Sequence, residues 1–215
     1  MNYIKITCVL WFSLLFKCSS LAQSIEEVFN SEIPLTWLGL DFTGAKFIGD
    51  QDSFGSVEDM VEKIEAWNVL MENEYEKYNI GEAFYKKTIY KAFEITKAHN
   101  STLDISDKLI SQINGHRLLE SDIQEIVKSY DNLGTEAGMA LMLIIESFDK
   151  TNTKSVMHFT FLDLQSRQVI LTRKIVGTPV GFGLRNYWAG SIYYSLKAIR
   201  KREYKTWKKR YVGKN

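Results

Sequence analysis

Met139-Ala140-Leu141-Met142-Leu143-Ile144-Ile145-Glu146-Ser147-Phe148 is the stretch around which the fold has to be organised. It is apolar almost without interruption, and turn residues follow it. A run of this length that does not alternate reads as a strand buried on both faces. Ser155 to Asp163 alternates instead, with Met157, Phe159 and Phe161 on one face, and Gln168 to Val176 forms a third strand. Lys150-Thr151-Asn152-Thr153-Lys154 and Leu164-Gln165-Ser166-Arg167 are short enough to be hairpin turns, so the three strands are expected to form an antiparallel meander. Met139 to Ile145 is then the central strand.

Working outward, Ser24 to Ser31 suits a short amphipathic helix, and Leu35 to Phe42 suits a buried strand ending at the turn Thr43-Gly44. Asp50 to Gly55 reads as a loop. Ser56, with Asp59 three residues on, caps a helix to about Tyr78 whose apolar stripe is Val57, Val61, Ile64 and Met71. Ile80 to Lys87 reads as helix and Thr88 to Ile95 as strand. Ser121 with Gln124 forms a capping box for a helix to Tyr130, with Ile123, Ile126 and Val127 on one face. A Gly-rich loop, Gly177 to Gly183, leads into a last helix from Asn186 to Tyr211. The expected class is α+β: a mixed sheet with a three-strand antiparallel meander, covered by helices and closed by a long carboxy-terminal helix.

The chain has 215 residues, enough for one sizeable core, and its two prolines, Pro34 and Pro179, mark no linker. The first 22 residues have a different character. Lys5 precedes an apolar run from Ile6 to Phe16, and Ser20-Leu21-Ala22 supplies the small residues of a signal-peptidase site, placing cleavage between Ala22 and Gln23. That apolar run falls short of the roughly 20 residues needed to span a bilayer. Lipidation at Cys18 is disfavoured because Phe16 and Lys17, bulky and charged, precede it. The expected organisation is a signal peptide, 1–22, and one domain, 23–215, with a basic helical tail at 200–215. The expected location is periplasmic or secreted. Cys8 and Cys18 both lie in the signal, so the mature chain has neither disulfides nor thiolate ligands.

Charge is segregated along the chain. Residues 200–215 hold eight Lys/Arg against one acid, Glu203, so the tail is basic and residues 23–199 are acidic. In the closing helix Trp188, Ile192, Leu196 and Ile199 share one face, whereas Tyr204, Trp207 and Tyr211 lie on a rotated stripe beside Lys201, Lys205, Lys208 and Lys209. That basic and aromatic face suits an anionic envelope component or an acidic protein partner, and peripheral contact with a membrane; no nucleic acid is expected. Arg185, Asn186, Tyr187 and Trp188, after the Gly-rich loop, are the second candidate contact set, because Arg and aromatic side chains dominate binding hot spots. The loop has the strand, glycine turn and helix of a phosphate-binding loop, but lacks a third glycine and a following Gly-Lys-Ser/Thr. Its glycines are read as serving backbone conformation, with Asn186 as the helix cap.

Leu38-Gly39-Leu40-Asp41-Phe42 and Gly181-Phe182-Gly183-Leu184-Arg185-Asn186-Tyr187-Trp188-Ala189-Gly190 resemble the pattern of uncharacterised exported proteins of the Bacteroidetes type. The strand, helix, meander with a turn like Asp163-Leu164-Gln165-Ser166-Arg167, and closing helix also resemble the α/β domains of the TolB amino terminus and of the curli-assembly lipoprotein. Neither resemblance implies catalytic residues.

His99, His116 and His158 are not spaced as metal ligands on a helix, and no metal site or cofactor is expected. His158 reads as a hydrogen-bonded structural histidine. No nucleophile elbow or metalloprotease motif occurs, so no catalytic residue is assigned. The reading favoured is a non-enzymatic binding or assembly module of the cell envelope. The alternative is a periplasmic hydrolase using Asp41, Asp50 and Asp52 near the end of the first strand. Intact mass of the exported protein is expected to correspond to a chain starting at Gln23 without lipid; an acylated species starting at Cys18 would overturn this reading.

Overall fold

β5 (Met139–Asp149) is buried along its whole length and is the strand on which the others assemble. The computed structural model describes residues 23–50, 52–112, 115–134 and 137–213. The expected signal segment, 1–22, lies outside them. In chain order come α1 (Ile25–Val28), β1 (Leu35–Asp41), β2 (Lys46–Ile48), α2 (Val57–Asn73), α3 (Ile80–Phe84), β3 (Ile89–Lys91), α4 (Phe93–Asn100), β4 (Leu109–Ile110) and α5 (Glu120–Lys128). After β5 follow β6 (Lys154–Asp163), β7 (Val169–Gly177), α6 (Leu184–Ala198), a π-helical turn (Ile199–Glu203) and α7 (Tyr204–Tyr211).

β1 runs parallel to the first half of β5 and β2 parallel to its end, so β1 and β2 form one lane interrupted at residues 42–45. Beyond that lane, β3 pairs in parallel with β1 and β4 in parallel with β2. The expected α+β class is therefore corrected to α/β. The sheet is organised by the path β3-β1-β5-β2-β4, parallel at every step, with helices in the connections. A meander is not the organising unit; β6 and then β7 extend this parallel body from the other edge of β5 through antiparallel pairings. The sequence reading missed this because β2, β3 and β4 are two or three residues long, too short to show a period. Parallel neighbours on a strand buried on both faces are what its unbroken apolar run calls for.

The two faces have different cores. On one, α2, α3, α6 and α7 cover Trp37, Leu141, Leu143, Phe148, Phe159 and Phe161. Trp188 stacks on Phe148 with ring centroids 4.6 Å apart, and Trp67 meets Phe148 edge-on at 5.2 Å. Each such side chain contributes about 1.5–3 kcal/mol on burial. On the other, Ile123, Ile126 and Val127 of α5 cover Leu38, Ala140, Met142 and Ile144.

Between β3 and β4 the outer edge of β1 has no strand beside it, and buried backbone groups left unpaired there would cost about 1–3 kcal/mol each. Side chains take the place of the missing strand. Asn68 of α2 accepts from Leu40 N at 2.8 Å and donates to Leu40 O at 3.0 Å. Asn100 of α4 accepts from Phe42 N at 3.0 Å and donates to Leu40 O at 2.8 Å. Thr96 donates to Leu38 O, and Lys108 Nζ to Thr43 O at 2.7 Å. Gly39 makes this approach feasible: its φ is +96°, and a Cβ there would lie 2.5 Å from Asn68 Oδ1 and 2.8 Å from the Phe93 ring.

Helix ends show what local patterns omit. Ser56 and Asp59 form the expected reciprocal cap of α2. The expected box of Ser121 and Gln124 is not used: α5 starts earlier, where Asp122 accepts from Leu119 N at 2.8 Å, and Gln124 bonds Arg167 O and Val169 N instead. Asn186 is likewise not a cap, because α6 begins at Leu184 with Gly183 in the capping position. The expected strand from Thr88 to Ile95 gives way after Lys91 to α4, whose Phe93, Thr96 and Asn100 face inward.

Gly39→Ala is expected to destabilise the protein by about 2 kcal/mol or more, combining a strained positive φ with displacement of Asn68. Chemical denaturation reads it; a variant as stable as wild type would show that the Asn68 contact is dispensable.

Candidate functional site

The closing helix changes phase at its π-helical turn. From Trp188 to Ile199 one face is buried, and the stripe of Tyr204, Trp207 and Tyr211 is displaced from it by about 100°, the rotation of one residue. A π turn accommodates one extra residue, so the displaced stripe again faces the body. Tyr204 and Trp207 are buried, and the Arg173 guanidinium lies 5.5 Å from the Trp207 ring. Trp207 is therefore corrected from contact residue to core. The tail is a docked helix, and cutting the chain after Arg200 would remove part of that core.

Inward placement of the aromatics leaves Lys201, Lys205, Lys208 and Lys209 exposed. Of these, Lys205 and Lys208 line a groove of about 850 Å³ between α7, α3 and the segment after α1. Phe29, Ile89 and Tyr204 give it an apolar lining, and Tyr75 and Tyr85 add aromatic surface. Tyr85 ends α3 in the left-handed region at φ 53° and donates from its hydroxyl to Arg200 O at 3.0 Å. Its ring centroid lies 5.0 Å from that of Tyr204, whose hydroxyl burial pushes up to about 12. Lys86 is spent on structure, donating to Glu27 O and Asn30 O at 2.8 Å each, and burial lowers it to about 8. Lys87 pairs with Glu32 at 2.6 Å and Arg200 with Glu82 at 2.5 Å. Lys205 and Lys208 have no carboxylate partner among the described residues.

At the other end of the helix the second candidate set divides. Trp188 is fully buried and is corrected from contact residue to core. Arg185 and Asn186 are exposed, while half-buried Tyr187 carries Lys150 Nζ at 4.0 Å from its ring centre. Gly181 and Gly183 have φ of +146° and +75°, as a conformational role requires. The loop is pressed onto α6 so closely that a Cβ on Gly190 would lie 1.8 Å from Val180 O. Between those two glycines stands Phe182, 95% exposed, a residue the sequence reading passed over.

Asp41, Asp50 and Asp52 do not converge. Asp41 is buried, accepting from Tyr130 Oη at 2.6 Å and Thr43 Oγ1 at 2.8 Å, and its burial raises its pKa despite those bonds. His99 stacks on Tyr130 at 4.0 Å. Asp50 and Asp52 are exposed and line a depression with Ser53, Lys150, Gly181, Gly183 and Tyr187. His158 is a buried structural histidine, its Nε2 2.8 Å from Glu146 Oε2. Lys174 Nζ lies 2.7 Å from Glu146 Oε1, and Leu118 N donates to Oε2 at 3.0 Å. Asn100 is committed to the β1 edge.

No family model, curated protein or solved structure matches the chain. Among the described residues no group of three His, Cys, Asp or Glu is placed to hold a metal ion, and no helix is long and apolar enough to cross a membrane.

Burial opposes the charge of Glu146, but its bonds from His158, Lys174 and Leu118 N prevail and lower it from 4.5 to about 2. A depressed carboxyl adds stability above its unfolded pKa and loses it as pH falls toward the folded value. The stability advantage of wild type over Glu146→Gln is therefore expected to hold above about pH 5 and to shrink between 4.5 and about 2. Urea titrations across that range test it; a constant difference would mean that the carboxylate charge adds nothing.

Proposed function

We propose that the protein is a non-enzymatic binding or assembly module of the cell envelope, and that the groove beneath α7 is its contact surface for an acidic partner. The observation that carries this reading is the pairing of two unneutralised cations, Lys205 and Lys208, with apolar and tyrosine surface in one concavity of about 850 Å³. Cations attract and orient an acidic partner, while apolar and aromatic surface supplies the short-range affinity. Export rests on the signal-like pattern of residues 1–22, and the acidic balance of residues 23–199 keeps the basic face distinct from the rest. The hydrolase reading draws less support, because Asp41 is buried whereas Asp50 and Asp52 are exposed.

The mature protein is expected to bind a sulfated polysaccharide or anionic vesicles at low salt, and to lose that binding as salt rises to about 0.3 M. Lys205→Glu with Lys208→Glu is expected to weaken binding about tenfold or more, roughly 1.4 kcal/mol, with an unchanged melting temperature, since both side chains are exposed. Wild type that binds neither probe at about 0.02 M salt, or a double variant that binds like wild type, would overturn the proposal.

A further inference from the structure

Three of the exposed large apolar side chains, Val176 at 61%, Val180 at 50% and Phe182 at 95%, fall within seven residues that span the end of β7 and the loop after it. Exposed apolar residues scattered singly need no explanation, but a cluster with a bare aromatic at its tip marks an interaction site. The segment is also held rigid. Pro179 is buried, Val180 N donates to Tyr187 O at 3.2 Å, and the Val180 carbonyl fits against Gly190. A side chain presented on a fixed backbone loses little entropy on docking, and buried aromatic anchors are the usual centres of binding energy.

Asp50 and Asp52 are exposed, line the depression formed with Gly181 and Gly183, and have no cation partner among the described residues. Lys150, in the same depression, is held over the Tyr187 ring. The knob is thus an apolar tip with acidic neighbours, complementary to a groove with apolar walls and free lysines. Along the closing helix Lys205 and Lys208 stand 21 and 24 residues beyond Leu184, about 30–35 Å at 1.5 Å per residue, so one molecule cannot join its own knob to its own groove.

We propose that the acidic partner of the groove is a second copy of this chain, with Phe182 of one molecule seated in the groove of the next and Asp50 and Asp52 meeting Lys205 and Lys208. This rests on the reading of the groove given above. The contact is heterologous, since different surfaces of the two copies meet, and its repetition generates a ring or an open chain instead of a two-fold dimer.

Sedimentation of the mature protein, with two complementary variants, tests this. Phe182→Asp keeps the groove and loses the knob; Lys205→Glu with Lys208→Glu keeps the knob and loses the groove. All three substitutions fall on exposed side chains, and circular dichroism and melting curves verify the fold. Wild type is expected to associate with rising concentration, more strongly at low salt. Each variant alone is expected to stay monomeric, and an equimolar mixture to form dimers and nothing larger, because each pair has one working contact. Wild type that remains monomeric to about 0.5 mM, a knob variant that associates like wild type, or a mixture that stays monomeric would overturn self-assembly. Retained polysaccharide binding by Phe182→Asp in those cases would leave the groove reading standing; a groove variant that still bound the polysaccharide like wild type would remove the groove reading itself, and self-assembly with it.

Discussion

The backbone amides of Leu40 and Phe42 need partners in an interior without water, and the sheet does not supply them. Its outermost lane is split into β3 and β4, and the edge between is completed by Asn68, Thr96, Asn100 and Lys108. That requirement brings α2 and α4 against β1 and confines position 39 to glycine. Gly39 also sits at the bulge where the register of β1 on β5 shifts, so the edge repair and the turn of the strand are one event. The polar interior near Asp41 and Thr43 lies just beyond and is closed by His99 of α4 and by Tyr130, which follows α5.

A second dependency runs along the closing helix. Its first half is held by Trp188 against Phe148, and its second half by Tyr204 and Trp207 against the region of α3. A straight α-helix could not present both apolar sectors to one body. The π turn at Ile199–Glu203 absorbs the mismatch and sends the remaining face, rich in lysine, outward. Segregated charge along the chain thereby becomes segregated charge in space, with a basic groove at one end of the helix and the Phe182 loop at the other.

Parts of this were legible in the residues. The unbroken apolar run of β5 specified a strand buried on both faces, the alternation of β6 gave its inward set, and Ser56 with Asp59 marked the start of α2, because these depend on local periodicity and capping. The positive φ of the loop glycines and the structural role of His158 follow from residue type in a local setting. Trp188 carries two readings in the sequence, apolar face and contact set, and Trp207 stands on the contact stripe, since a helical wheel ranks faces without showing what covers them.

Tertiary structure alone decided the rest. Strands of two or three residues have no sequence period, so the parallel body that makes the fold α/β is visible only through its pairing with β5. Asn68 and Asn100 look like ordinary helical polar residues until β1, 28 and 60 positions away from its Leu40, presents an edge that needs them. The groove at Lys205 and Lys208 likewise joins α3, α7 and the segment after α1, which no spacing along the chain relates. Local propensity follows from neighbours within a few residues, whereas strand partners, buried polar repairs and concave surfaces depend on groups that only the folded chain brings together.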